Sequence, residues 1–91
     1  MAETIRLIIG GKVQGVFFRQ SAKEKAVHLG ITGTVRNLQD GSVEIIATGT
    51  PEQLEQLTQW CNHGPPKAVV TNIKSTPLPL QPFQNFTVTR S

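Results

Sequence analysis

The pair Asp40-Gly41 lies between two short runs of alternating apolar residues, and a chain with that pattern must fold back on itself there. Asp-Gly suits the left-handed backbone angles of a tight turn between two strands. Before it, Ile31, Gly33 and Val35 share one face of a strand spanning 31–38; after it, Val43, Ile45 and Ala47 share one face of another. A helical pattern flanks each arm of this hairpin. Upstream, Phe18, Ala22, Ala26 and Leu29 recur at helical spacing, which predicts a helix over 20–29 with Gly30 as its left-handed stop. Downstream, Thr50 is a cap, Pro51 suits the first helical position and Gln53 completes a capping box. Leu54, Leu57 and Cys61 then form an apolar stripe with Trp60 beside it, and Gly64-Pro65-Pro66 ends that helix.

Two outer strands complete the pattern. Thr4 to Ile9 alternates with Ile5, Leu7 and Ile9 on one face, and Ala68 to Lys74 predicts a strand with Val69 and Ile73 inward. Residues 76–82 contain Pro77, Pro79 and Pro82 and are expected to be irregular, while Phe86 and Val88 mark a short last strand. The order strand–helix–strand–strand–helix–strand predicts an α+β, ferredoxin-like fold of the split βαβ type (βαββαβ). Its antiparallel or mixed sheet would carry both helices on one face, with a short extra C-terminal strand. At 91 residues the chain is expected to form a single domain, 1–91. Such a fold hosts many functions and selects none.

Composition removes several classes of function. No apolar run approaches the about 18–20 residues of a membrane span, and the first residues lack the charged and apolar regions of a secretory leader. Cys61 is the single cysteine, so no internal disulfide forms, and His28 and His63 alone cannot build a zinc site around it. These features predict a monomer in a reducing, cytoplasmic setting, with no cofactor and no metal. The net charge of +3 comes from scattered Lys and Arg residues, which mildly favours anionic ligands without making a nucleic-acid arm.

The stretch Gly10 to Arg19 joins the first strand to the first helix. A strand-to-helix loop can aim backbone N–H groups and the positive end of the helix dipole at one anion. Gly15 permits the positive φ that turns successive N–H groups inward. Arg19 can offer two parallel donors to a tetrahedral anion. A nucleotide P-loop is not matched, because Lys-Ser/Thr is missing after the second glycine. The plainer alternative is a simple turn with Arg19 at the surface. At least one of Phe17 and Phe18 should pack beneath the loop and hold its shape, and Phe18 fits the helix stripe. Asn37, near the end of the second strand, either starts the turn chemistry or faces a site, and periodicity does not choose. Arg36 alternates away from Asn37 and reads as surface; Asp40 and Glu44 read as turn and surface residues. His28 and His63 read as structural or exposed, and Cys61 and Trp60 as packing residues.

Residues 9–19, Ile-Gly-Gly-Lys-Val-Gln-Gly-Val-Phe-Phe-Arg, resemble the first signature of the acylphosphatase family. Gly33 to Glu44, followed by Gly49, resembles the second, and Gly64-Pro65-Pro66, Ala68, Val70, Phe83 and Phe86 fit as well. The likeness spans nearly the whole chain in order. It implies hydrolysis of an acyl phosphate to a carboxylate and inorganic phosphate without a metal. It further implies that Arg19 and the N–H groups of Gln14, Gly15, Val16, Phe17, Phe18 and Arg19 hold the phosphate. Asn37 would position the attacking water, and the substrate's own phosphate oxygen would take the proton. Thr34 departs from the family, which usually has an aromatic residue there; the exchange is expected to alter packing beside the site, stability or the wall that meets the acyl group.

The competing function is a non-catalytic module that binds an anion or carbamoyl phosphate, as in larger maturation proteins; a chain ending at residue 91 argues against it. A ferredoxin-like RNA binder would need exposed aromatics on the central strands, and neither Thr4 to Ile9 nor Val43 to Ala47 contains one. No nucleic-acid or membrane partner is expected.

Overall fold

The computed structural model describes residues 1–89. The elements follow the predicted order: β1 Glu3–Lys12, α1 Phe18–Leu29, β2 Thr32–Asn37, β3 Val43–Gly49, α2 Pro51–Cys61, β4 Val69–Leu78 and β5 Phe86–Val88. One five-stranded sheet runs β4-β1-β3-β2-β5. Every neighbouring pair is antiparallel except β2 with β5, so the sheet is mixed. α1 packs over β2 and β5 and α2 over β1 and β3, which puts both helices on one face and makes the fold ferredoxin-like.

The core lies between that face and the helices. Leu7, Ile9, Val35, Ile45 and Ala47 project from the strands into Phe18, Ala22, Ala26, Leu57 and Cys61, all at most 1% exposed. Phe18 also meets Trp60 in a tilted ring contact, centroids 5.5 Å apart, as expected of packing residues. Burial pushes the Cys61 thiol up to about 12, so it is an inert core group. α1 starts at Phe18, two residues before the predicted start. It stops at Gly30 (φ 79), whose N–H reaches Val27 O while that of Ile31 reaches Ala26 O, the paired bonds of a Schellman stop.

The outer strand β4 departs from expectation in two ways. Val69 is 56% exposed and Val70 packs on the core instead, beside Ile73, which does so as expected. The register with β1 slips between Gly10 and Gly11, whose partners are Asn72 and Val70, so Thr71 is an extra residue and the alternation restarts. Gly11 is needed there, since a Cβ would come within 2.1 Å of Val69 O. β4 also continues through Thr76, Pro77 and Leu78, which the prolines had marked as irregular. It is an edge strand, where a missing N–H breaks no ladder bond if it faces solvent.

The other face of the sheet carries polar chemistry. Glu44 is only 4% exposed, not the surface residue expected, and accepts from Arg6 Nε at 2.6 Å and Arg36 Nε at 2.7 Å. Burial alone would raise its carboxyl pKa, but the two guanidinium groups outweigh that and hold it below the usual range. Arg36 is exposed, as expected, while it makes this bond. Thr34 alternates onto this same face, pairing with Ile46 and Thr87. No helix among the described residues is long and apolar enough to cross a membrane.

Candidate active site

The loop after β1 takes its shape from two left-handed residues. Gly15 has φ 74 and Phe17 has φ 63, the latter at the N-cap of α1. A Cβ at Gly15 would meet nothing, so the glycine is needed for its backbone angle and not for space. Phe17 is a different matter. A bulky residue with positive φ costs about 1–2 kcal/mol and tends to mark a functional segment. Its ring is 81% exposed, while Phe18 packs beneath the loop at 1% exposure, which meets the expectation that at least one of the two does so. The left-handed cap turns one ring to solvent and the next into the core.

The start of α1 is left open. The N-cap offers no side-chain hydrogen bond, and the first turn holds no acidic residue. The first helical bond comes from Ser21 N to Phe17 O, and first-turn N–H groups before it have no intrahelical acceptor. Among the described residues, none of the turn and loop backbone bonds is donated by residues 14–17. Positive backbone dipoles therefore collect beside Arg19.

Sheet register explains how Asn37 reaches this loop. Val43 of β3 pairs with Ile9 on one side and with Asn37 on the other. Asn37 is thus level with the end of β1, two strand spacings away, roughly 9.5 Å. It shares the helix-bearing face with buried Val35. A cavity of about 390 Å³ opens here, lined by Val13, Gly15, Phe17, Phe18, Arg19, Gln20, Asn37 and Val88. Arg19 and Asn37, nominated from distant segments, meet in it.

The side chains of the other two loop residues turn elsewhere, leaving only their backbone to face an anion. Val16 is 5% exposed in the core. Gln14 Nε2 donates to Leu38 O at 2.8 Å and to Ser42 O at 2.9 Å, across to the β2–β3 hairpin. Sequence reasoning missed this bond, and it missed Val13, Gln20 and Val88 as cavity walls. Val88 arrives only through parallel pairing opposite Val35, which no local pattern signals. Thr34, on the opposite sheet face, is not among the residues that line this cavity.

Asp40 and Glu44, the carboxylates near Asn37 in sequence, are both engaged elsewhere. Asp40 accepts from both Ser42 Oγ and Ser42 N, which hold its carboxyl below the usual range in a turn. Glu44 is engaged on the far face by its two arginines. His28 and His63 are exposed. Among the described residues, no three His, Cys, Asp or Glu side chains gather as metal ligands.

The acylphosphatase family model matches residues 5–88. The chain belongs to the acylphosphatase family. An acylphosphatase from Marinobacter nauticus is 51% identical over 84 residues, 91% of each chain. The structure of an acylphosphatase from Coxiella burnetii superposes with a TM-score of 0.94 at 40% identity, covering 97% of this chain and 93% of that one. The crystal structure of acylphosphatase from Bacillus subtilis gives a TM-score of 0.93 at 33% identity, covering 98% and 99%. Family and relatives together support acylphosphatase function for this chain, that of a hydrolase acting on acid anhydrides.

Proposed function

We propose that the cavity holds the phosphoryl group of an acyl phosphate and directs water onto its phosphorus, releasing a carboxylate and inorganic phosphate. The observation that carries this is the convergence of Arg19, the open end of α1 and Asn37 on one cavity. The Arg19 guanidinium and the N–H groups of residues 14–19 donate to the nonbridging oxygens, where charge-assisted bonds are strongest. Asn37 orients the water in line with the leaving group; its amide does not titrate, so it positions and does not deprotonate. As the water oxygen bonds to phosphorus, the bond from phosphorus to the acyl oxygen breaks. Its electron pair leaves with the carboxylate, and a phosphoryl oxygen takes the water's proton. A carboxylate leaves readily, so positioning and charge stabilisation suffice, and no step is assigned to a metal ion.

Phosphate release from acetyl phosphate tests this, with and without a chelator. Turnover in both conditions is expected. None above background overturns the proposal, and loss with chelator overturns its metal-free part. The same mechanism has one chain working alone, because a loop, a helix and a hairpin of a single chain supply every group it uses. Sedimentation of an active monomer checks that.

A further inference from the structure

We infer that Gln14 is a positioning residue whose side-chain amide sets the distance between the phosphate cradle and Asn37. The two halves of the site have no direct ladder between them, since β3 lies between β1 and β2. The Gln14 amide spans that gap. One of its N–H groups meets Leu38 O, on the residue next to Asn37, and the other meets Ser42 O. Those carbonyls also close the hairpin, Ser42 O accepting from Leu38 N at 2.9 Å and Leu38 O from Gly41 N at 3.2 Å. Each carbonyl has two lone pairs and serves both partners. Gln14 itself immediately precedes Gly15, the left-handed pivot of the loop. A single amide therefore ties the phosphate-binding loop to the end of the strand that carries the water-positioning residue.

This placement predicts a particular kinetic signature. The cradle stays with α1 and its own glycine when the amide is lost, so phosphate still binds. The water held by Asn37 drifts relative to the phosphorus, and misplacement of about 1 Å costs up to roughly a hundredfold in rate. The inference rests on the mechanism proposed above. A residue that merely stabilised the fold would not act through Asn37.

The test compares wild type, Gln14→Met, Asn37→Ala and the double variant, each confirmed as folded by circular dichroism. The readouts are kcat with acetyl phosphate and inhibition by inorganic phosphate. Gln14→Met keeps length without donors and is expected to lose about 10–100-fold in kcat with phosphate inhibition little changed. The double variant should be no slower than Asn37→Ala alone, because both changes remove the same positioned water. Losses that multiply, or a weakened phosphate inhibition with kcat intact, overturn the inference. Where Gln14→Met does not fold, Gln14→Glu takes its place. Its rate relative to wild type should rise as the pH falls toward the carboxyl pKa of about 4.3, where protonation restores one donor; a flat ratio overturns the inference. An inactive unmodified protein overturns the proposed function and this inference together, whereas an active one with multiplying losses removes only the role of Gln14.

Discussion

The two helices begin in opposite ways. α2 seals its own end: Thr50 Oγ1 accepts from Gln53 N at 3.2 Å, Gln53 Oε1 accepts from Thr50 N at 2.8 Å, and Glu52 adds a negative charge to the first turn. Pro51 removes one N–H that would otherwise need a partner. α1 has none of these devices. Its cap is Phe17, left-handed and without a hydrogen-bonding side chain, and its first turn has no acid. Forgoing a cap costs about 1 kcal/mol, and the left-handed Phe17 adds a similar amount. One chain thus seals one helix for stability and leaves the other open, with Arg19 beside it, at the wall of a cavity. Because the open end carries a cost, an anion that occupies it is the natural compensation.

The largest break in that contrast comes from removing the charge beside the open end. Arg19→Ala should lose at least about 10²–10³-fold in kcat, together with phosphate binding, while the protein remains folded. Steady-state rates, phosphate titration and circular dichroism check the three parts. Retained phosphate affinity would mean that the α1 end binds without the guanidinium. Asn37→Ala separates binding from chemistry on the other wall of the cavity. Turnover should fall about a hundredfold while phosphate inhibition persists. Normal turnover in that variant rejects the water-positioning role.

What could be read from the sequence divides along the same line. The start of α2 was legible residue by residue, because a capping box is written in four consecutive positions, Thr50 to Gln53. Gly30 and the Asp40-Gly41 turn are equally local, and with the two apolar stripes they suffice for the βαββαβ order. The α1 loop was legible only in part. Gly15 signals a left-handed angle, but nothing local says that Phe17 adopts one too. Asn37 faces the loop because Val43 sits between it and Ile9, a register set by long-range pairing. The exposure of Val69 follows from a bulge that depends on β1, and the burial of Glu44 depends on arginines from two other strands. In each case the deciding partner lies far along the chain, outside any window of periodicity.

Thr50→Ala sharpens the contrast from the sealed side. It removes one half of the capping box and should cost about 1 kcal/mol of stability. Thr50 lies outside the cavity, so kcat and phosphate inhibition should not change. Chemical denaturation beside steady-state rates measures both. A fall in activity at full occupancy would show that the two ends are coupled, and that α2 serves more than stability.

The smallest expected effect is also the most direct test of why α1 is left open. Gln20→Glu gives its first turn the acid that Glu52 gives α2, at a residue that lines the cavity. A carboxylate near a helix N-terminus is worth about 0.3–1 kcal/mol. Gln20 bonds to Glu24 Oε2 at 3.4 Å, so the new acid would face a like charge one turn on, which returns about 0.2–0.5 kcal/mol. Stability should therefore rise by a few tenths of a kcal/mol at most. Phosphate affinity should move the other way, since the new charge occupies the potential that the anion uses, and the loss should shrink as salt screens it. Weaker phosphate binding without loss of stability supports an end kept open for an anion. Unchanged affinity at low salt would mean that the dipole of α1 does little and that Arg19 alone carries the attraction.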